Sequence, residues 1–390
     1  MKRVYYILTC LVVILICGCN NTDSISDNVD IITIDFDNCE SVAMSDLFTK
    51  IEVIELEGNS ESYLKGPHLI EIYNGKIYLK DQHAVFVFNS DGKFLYNTKQ
   101  RRGNAGNEYF AVNDFCVIDN NVCIMDYDGS VYVYDSVLNL NELYHVPMNG
   151  VLFYKEIVNL NNDILVLSGP AKGDTLVWNC YSKSKDKIVE THYLSGIRGG
   201  GINYGRNKAY ITNDNLAIYR LPDNGYSYYN INRDDYTMAE RFRYDVGKYS
   251  FNPSKVDKNE SIVSYIDEHE RDLVVAMETQ INNNFILCRL GYPLVYIEES
   301  NTLTPNCLSF YSLNNGKHRV VNNVFENNKS IIGFDYMDDN CLYSYNDYYF
   351  ANQFMYEASL LDDKSKQILK NINDETNALI FKYYFRNDIL

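Results

Sequence analysis

The sequence predicts an all-β protein: a six-bladed β-propeller of four-stranded antiparallel blades, with one or two inserted helices, over residues 46–390. Three observations predict this fold. Short runs of Val, Ile, Tyr and Phe alternate with Asn-Gly, Asp-Gly and Asn-Asn turn signals. This plan of four runs recurs six times, roughly 40 to 70 residues apart. The 35 tyrosines and 18 phenylalanines, against 7 prolines, suit strands that pack on both faces.

The first repeat shows the plan most clearly. "LIEIYNGKIYLKDQHAVFVFNSDGKFLYNTK" contains four runs of period two, with turns at Asn74-Gly75 and Asp91-Gly92. Radial stacking of such sheets covers both faces of each one. A β-sandwich would have fewer repeated units, and a parallel α/β fold would need helices between its strands. The second strand of each repeat is predicted at Ile77, Val122, Ile164, Leu216, Phe285 and Leu342.

Two stretches interrupt the strand pattern. Ser254 to Gln280 and Glu357 to Asp374 have apolar residues at helical spacing with charges between them, so each predicts an amphipathic helix. A closed ring also needs its last blade completed, and the early strand within "KIEVIELEG" is free to do this. We therefore expect residues 51–57 and 378–385 to lie in or near the same blade.

The N-terminus predicts export. Lys2 and Arg3 precede an apolar run, Val4 to Ile16, that is shorter than the roughly 20 residues a membrane-spanning helix needs. Residues 1–18 are therefore assigned to a signal peptide. The run ends in "ICGC", which resembles the lipobox of bacterial lipoproteins. That resemblance implies that Cys19 carries lipid and anchors the protein to a membrane; an ordinary secretory signal is the alternative.

Residues 19–45 are rich in Thr, Ser, Asn and Asp at their start and are predicted to form a tether. The formal charge of the whole chain is −17. Removal of residues 1–18 takes away two basic residues and no acid, so −17 minus 2 leaves −19. This negative net charge argues against nucleic acid as a partner, because nucleic-acid binding needs a concentrated basic surface.

Seven of the ten cysteines follow the predicted signal peptide and its lipobox. An odd number without CxxC spacing does not describe a disulfide framework. Most of the seven lie in apolar runs such as "DFCVI" and "FILCRL", where a thiol behaves as a small buried hydrophobe. Cys116 and Cys123 flank one turn, and we expect them to remain unpaired.

A distinctive loop, "QRRGNAGNEYF", follows the first repeat. Together with the strand "KIEVIELEG" and the blade end "DGKF", it resembles the six-bladed β-propeller lipoproteins of Bacteroidetes, distant relatives of NHL-type propellers. Members carry a loop of the form RGxGPGEY, which Arg102, Gly103, Glu108 and Tyr109 match. The Gly-Pro-Gly centre is replaced here. The resemblance covers residues 50–140 well and rests on the repeat pattern beyond them.

Two interpretations of this loop remain open. In the structural one, it is a crossover between blades near the central axis, in which Glu108 caps backbone amides and Tyr109 fills the space between blades. In the binding one, Arg101, Arg102, Glu108 and Tyr109 contact a ligand. The structural interpretation is preferred, because members of the family share the loop without sharing a chemistry.

A second candidate is the glycine-rich segment Ser195 to Asn207. Its successive amides beside Arg198 and Arg206 could form an anion-binding nest. The segment lacks GK[ST] and a following helix signal, so it is not a phosphate loop. A long crossover between blades three and four is the alternative, and we prefer it.

Catalytic residues, metal ligands and cofactors are not predicted. The six histidines show no HxH or HExxH spacing, and GxSxG is absent. His68, His145 and His192 are the only trio that could meet at the axis, and solitary histidines are the preferred interpretation. The tyrosine-rich stretches Asp223 to Tyr236 and Asp335 to Phe350 suit saccharide stacking, but they equally suit half-exposed strands.

The leading functional hypothesis is a lipid-anchored propeller of the cell envelope, at the outer membrane and facing the periplasm or the surface. It would act as a binding module for a glycan, a peptide or an envelope protein. The alternative is a propeller enzyme, a lyase or hydrolase with an axial active site. A purely structural partner of an envelope complex is a third possibility.

Overall fold

The computed structural model describes residues 29–35, 38–66, 69–172, 175–195, 210–211, 216–220, 227–250, 276–291, 306–323, 331, 333–346, 351 and 358–390. Within these residues, 25 strands form six antiparallel sheets of four strands, one of which gains a fifth, parallel strand. The predicted six-bladed propeller is confirmed, and the second strand of every blade begins at or next to its predicted residue.

Two N-terminal strands precede the blades, β1 (Asp30–Thr33) and β2 (Phe48–Leu56). Blade 1 contains β3 (Leu69–Tyr73), β4 (Lys76–Lys80), β5 (Val85–Asn89) and β6 (Phe94–Asn97). Blade 2 contains β7 (Asp114–Ile118), β8 (Asn121–Met125), β9 (Ser130–Tyr134) and β10 (Leu140–His145). Blade 3 contains β11 (Glu156–Asn159), β12 (Ile164–Pro170), β13 (Thr175–Ser182) and β14 (Lys187–Ser195).

The second half of the ring follows the same plan. Blade 4 contains β15 (Tyr210–Ile211), β16 (Leu216–Arg220), β17 (Ser227–Asn232) and β18 (Met238–Asp245). Blade 5 contains β19 (Ala276–Ile281), β20 (Phe285–Gly291), β21 (Asn306–Ser312) and β22 (His318–Asn322). Blade 6 contains β23 (Tyr336–Met337), β24 (Cys341–Asn346) and β25 (Ala378–Phe385), with β2 as its fourth strand.

The turn chemistry explains why these runs form hairpins. Asn74 and Gly75 join β3 to β4 with φ values of 47° and 69°. Positive φ at both central residues is the geometry that matches the twist of a hairpin, and Asn-Gly adopts it at low cost. The predicted Asn-Gly turn is therefore confirmed.

Six apolar clusters hold the ring together, one at each interface between neighbouring blades. The cluster between blades 5 and 6, for example, joins Leu287 and Phe310 to Ile51 and Phe381. The cluster between blades 6 and 1 joins Ile54 and Ile380 to Phe86. A sheet with two apolar faces cannot bury both alone, so closure of the ring is what completes each core.

The ring closes through strands from opposite ends of the chain. β2 pairs antiparallel with β25 from Phe48↔Phe385 to Leu56↔Ala378, as predicted for residues 51–57 and 378–385. A nine-residue helix, α1 (Asp363–Asn371), packs against this strand within the predicted stretch 357–374. Its N-cap Asp362 accepts from Ser365 N at 2.8 Å, and Ser365 Oγ accepts from Val53 N of β2.

The other predicted helix, 254–280, lies mostly outside the described residues. The prediction is wrong for its last residues, because 276–280 belong to β19, which pairs with β20. Over a short stretch, the same spacing of apolar residues fits one face of a helix or one face of a strand. Here the pairing with a neighbouring strand shows that the stretch is a strand. None of the helices within the described ranges is long and apolar enough to cross a membrane.

The structure corrects the prediction that residues 19–45 form a tether. β1 adds to blade 4 in parallel with β18, burying Ile32 and Ile34, and Glu40 pairs with Val321 of blade 5. Cys39 forms a disulfide with Cys307 of β21, which the cysteine count did not predict. The described residues 30–35 and 38–45 therefore belong to the propeller, because the alternation in "DIITID" gives a strand an apolar face to bury.

The remaining cysteines agree with the prediction. Cys116, Cys123, Cys180, Cys288 and Cys341 are buried and are not disulfide-bonded. Cys116 and Cys123 face each other across the β7–β8 ladder without bonding.

Candidate functional site

The RGxGPGEY-like loop lies between blades 1 and 2, and its tyrosine is structural. Tyr109 is fully buried, and its hydroxyl donates to the Thr98 carbonyl oxygen at 2.9 Å. Its ring meets that of Tyr134 at 6.2 Å between centroids in an edge-to-face arrangement. Burial raises the pKa of Tyr109, so the phenol stays protonated. Tyr109 fills the space between blades, as the structural interpretation predicts.

Two other predicted residues of this loop make hydrogen bonds that keep the loop in place. Glu108 accepts from Ala105 N at 3.0 Å, which is the amide-capping role predicted for it. Arg101 Nε donates to the Leu138 carbonyl oxygen in the β9–β10 turn at 2.7 Å. That turn lies in the outer half of blade 2, so the first part of the loop runs far from the axis. The expected axial position holds only for its last residues, which lead into β7, the innermost strand.

The remaining sequence-predicted candidates do not form a site in the described residues. Arg198, Arg206 and His68 lie outside them. His145 Nδ1 lies 3.1 Å from Ser130 Oγ, and His192 Nε2 lies 2.8 Å from the Tyr236 carbonyl oxygen. Both histidines belong to the outermost strands of their blades, so they do not face the axis. Among the described residues, no group of three or more His, Cys, Asp or Glu could hold a metal ion.

A cleft of about 610 Å³ lies between blades 5 and 6. The β19–β20, β21–β22 and β23–β24 turns line it, together with the residues that follow β25. In the other blades a turn joins the third strand to the fourth, but here β25 and β2 come from opposite ends of the chain. Because no hairpin closes this corner of blade 6, residues 385–390 border an open cleft.

Five exposed amide side chains contribute to the polar part of the lining. They belong to Asn284, Asn314, Asn315, Asn340 and Asn387. In the described part of the chain, the hydrogen bonds of Asn314 and Asn340 are made by their backbone groups. Their side-chain amides therefore remain available to a ligand, and each amide can both donate and accept.

Two aspartates hold the turns in place. Asp338 Oδ1 accepts from Asn340 N at 2.8 Å and from Cys341 N at 2.7 Å, and its Oδ2 accepts from Tyr343 OH. Asp339 Oδ1 accepts hydrogen bonds from Asn283 N and Asn283 Nδ2, and these bonds tie blade 6 to blade 5 across the cleft. These carboxylates set the spacing of the walls, and their oxygens are already engaged.

Aromatic rings supply the apolar part of the lining. Phe285 and Phe385 meet edge-to-face with centroids 4.9 Å apart. Tyr384 donates to Glu52 Oε2 at 2.6 Å, and Lys382 Nζ lies 4.9 Å from the Tyr384 centroid. Burial and the hydrogen bond to Glu52 raise the pKa of Tyr384, so it is a neutral donor at physiological pH.

The charges of the lining nearly cancel. Asp338 and Asp339 are accompanied by Lys382 and Arg386, but Arg386 is itself paired with Asp388 at 2.8 Å, which leaves a small excess of negative charge. A cleft with free amides, aromatic edges and little net charge can bind a neutral ligand that carries many hydroxyl groups and some apolar surface.

Sequence reasoning found part of this cleft. The tyrosine-rich stretch Asp335 to Phe350 contributes Asp338 to Cys341. The other such stretch, Asp223 to Tyr236, is structural where it is described, since Tyr228 is fully buried between blades 4 and 5. The asparagine pairs of blade 5 were available as a signal, but only the fold shows that they face residues 385–390.

The closed ring and the topology of its blades define the class: a six-bladed β-propeller. The profile of the family described as 6-bladed beta-propeller matches residues 20–220. The chain belongs to this family. No curated protein matches the sequence at a significant level.

Solved structures resemble the chain to different degrees. A Bacteroides fragilis NCTC 9343 protein described as exported superposes with a TM-score of 0.66 at 15% identity, covering 91% of this chain and 99% of that one. The Pan2 WD40 domain of Neurospora crassa gives a TM-score of 0.40 at 10% identity, covering 90% and 98%. The likeness to the B. fragilis protein shows the fold alone, because the identity is low, and the likeness to the Pan2 domain carries no argument.

Proposed function

We propose that this protein is an exported binding module that holds a neutral oligosaccharide in the cleft between blades 5 and 6. The observation that carries the proposal is the set of free amide side chains placed beside aromatic rings in a cleft with little net charge. A sugar ring presents hydroxyl groups that both donate and accept, and C–H faces that pack on aromatic surface. The volume of about 610 Å³ lies within the range of small-molecule sites.

Catalysis is the weaker alternative for this cleft. Glycoside cleavage uses a pair of carboxyl groups that are free to exchange protons or attack the sugar. Here Asp338 and Asp339 already accept hydrogen bonds from turn amides and from Asn283. The cleft also lies at the turns between two blades and not at the axis, where the enzyme alternative places its active site.

The glycan proposal is tested with single alanine variants of the purified mature protein. We expect neutral glycans on an array to bind the wild type, and Asn314→Ala, Asn340→Ala and Asn387→Ala each to weaken titrated binding about tenfold. Asn104→Ala, an exposed asparagine of the blade 1–2 crossover, is the matched control and should bind as the wild type does. Equal affinity in all four variants, or glycan binding that ignores the cleft, would refute the proposal.

We further propose that the protein is anchored by lipid on Cys19 at the outer membrane, as a relative of NHL-type propeller lipoproteins. Support comes from the "ICGC" motif, from the description of the B. fragilis neighbour as exported, and from the disulfide between Cys39 and Cys307. Disulfides persist in oxidising compartments outside the cytoplasm.

The anchor is tested by expression in a bacterium that lipidates exported proteins. We expect the mature protein to begin at a diacylated Cys19 in mass spectrometry and to sediment with membranes. Cys19→Ala should release it from the membrane fraction, since two or more chains are needed for stable anchoring. A mature N-terminus other than Cys19 in the wild type would contradict the proposal.

A further inference from the structure

A segment near the N-terminus, residues 39–48, connects the two blades whose turns form the walls of the cleft. At its start, Cys39 is disulfide-bonded to Cys307 of β21, in blade 5. At its end, Phe48 begins β2, the outermost strand of blade 6. Because of the disulfide, only eight residues separate blade 5 from the closing strand of blade 6 along this covalent path. We call residues 39–48 the bridging segment.

The end of the bridging segment supports one wall of the cleft. Arg386, which lines the cleft, donates its backbone N–H to the Leu47 carbonyl oxygen at 3.0 Å. The rings of Phe48 and Phe385 lie 5.6 Å apart between centroids, and Phe385 also lines the cleft. Leu47 and Phe48 share the apolar cluster between blades 5 and 6 with Phe285 of the opposite wall. The position of the wall therefore depends on where the bridging segment is held.

The start of the bridging segment is held on blade 5 by weaker contacts beside the disulfide. Glu40 N donates to the Val320 carbonyl oxygen at 3.0 Å, and Asn322 N donates to the Glu40 carbonyl oxygen at 2.7 Å. Glu40 also pairs with Arg319, but the Glu40 side chain is 56% exposed, and an exposed ion pair stabilises little. Two backbone hydrogen bonds at one residue open by local unfolding far more easily than a covalent bond breaks. The disulfide is therefore what fixes this end of the segment.

We propose that the Cys39–Cys307 disulfide is a redox-sensitive clasp that controls ligand binding in the cleft. In the oxidised protein the clasp holds the bridging segment and keeps the wall in its binding position. Reduction releases the start of the segment, so the wall spends part of its time displaced. The apparent affinity falls in proportion to the fraction of molecules that remain competent to bind. The inference rests on the proposed glycan binding for its ligand, and its effect on the wall is measurable without one.

The reductant is a dithiol, and the reaction is thiol–disulfide exchange. Cys39 is half-buried between the exposed Asn38 and Glu40, whereas Cys307 is buried, so the attack falls on Cys39 Sγ. A thiolate of the dithiol bonds to Cys39 Sγ, and Cys307 leaves as a thiolate that takes up a proton. The second thiol of the dithiol then closes its own disulfide and releases Cys39 as a thiol. Two electrons pass from the dithiol to the protein.

Hydrogen exchange followed by mass spectrometry measures the wall without a ligand. The full mature protein is compared oxidised, reduced with dithiothreitol and reoxidised, below the melting temperature of every form. We expect residues 40–48 and 385–390 to exchange at least about tenfold faster after reduction, and reoxidation to restore slow exchange. Blades 1 to 3 should not change. Unchanged exchange at residues 385–390, or faster exchange in every blade, would overturn the proposal.

Titration with a neutral glycan that binds the oxidised protein measures the control of affinity. Reduction should weaken binding about tenfold, and reoxidation should restore it. Cys39→Ser should bind as the reduced protein does, with or without dithiothreitol. Cys180→Ala removes a buried thiol of blade 3 and is the matched control, so it should respond to reduction as the wild type does.

The two proposals fail in different ways. Equal glycan affinity of the oxidised and the reduced, folded protein would refute the clasp and leave glycan binding intact. If the oxidised protein binds no glycan, the glycan proposal fails, and hydrogen exchange at residues 385–390 decides whether the disulfide controls the cleft. Should Cys39→Ser not fold, the reduced and reoxidised wild type give the same comparison.

Discussion

Replacing Ile51 by aspartate is expected to open the propeller and to cost more than about 4 kcal/mol in free energy of unfolding. Ile51 is fully buried in β2, within the cluster between blades 5 and 6, and its backbone pairs with Tyr383. A carboxylate at this position has neither water nor a cation, so burying it is strongly unfavourable. Because β2 is the fourth strand of blade 6, loosening it also exposes the neighbouring cluster around Ile54.

Denaturant titration followed by circular dichroism measures the effect. Against a native free energy of about 5 to 15 kcal/mol, such a loss should move the unfolding midpoint of Ile51→Asp to a clearly lower denaturant concentration. Glu55→Gln lies on the same strand, with its side chain exposed, and should change the free energy by no more than about 0.5 kcal/mol. A cooperative transition of wild-type stability in Ile51→Asp would show that β2 does not close the ring.

Loss of the Cys39–Cys307 disulfide is expected to cost about 3 to 5 kcal/mol. The bond joins residues separated by 268 positions, so it removes much of the freedom of the unfolded chain. It also fastens the N-terminal segment to blade 5, where Glu40 pairs with Arg319 at 3.0 Å. The variant Cys39→Ser should therefore melt at a lower temperature than the oxidised wild type.

Reducing agent distinguishes this disulfide from other effects of the substitution. We expect dithiothreitol to lower the melting temperature of the wild type to near that of Cys39→Ser, and to leave the variant unchanged. The five other cysteines in the described residues form no disulfide, so they offer nothing further to reduce. An equal effect of reductant on both proteins would contradict the assignment.

Local sequence was sufficient for the blades. The six second strands were placed from alternating apolar residues and turn signals, because a hairpin is determined by neighbours in the chain. The loop at residues 100–110 was also interpreted correctly in its essentials, since a large aromatic after a glycine-rich turn had to be buried or functional. The prediction of a helix that ends at Gln280 was wrong at its end, because a short run of apolar residues fits both the helical and the strand periodicity.

The cleft and the disulfide could not be predicted in the same way. Cys39 and Cys307 have unremarkable neighbours, and only the path of the N-terminal segment across blades 4 and 5 brings them together. The asparagines of blade 5 look like ordinary turn residues. They line a cleft because blade 6 is closed by β2, which leaves its corner without a hairpin.

The amino-acid sequence by itself determined the number of blades, the strands within them and the pairing that closes the ring. These follow from the alternation of side chains across a strand and from turns that few residues can form. Tertiary structure alone decided which surfaces can bind. Such surfaces join residues from different blades, and their distances depend on how the ring packs and not on the order of residues along the chain.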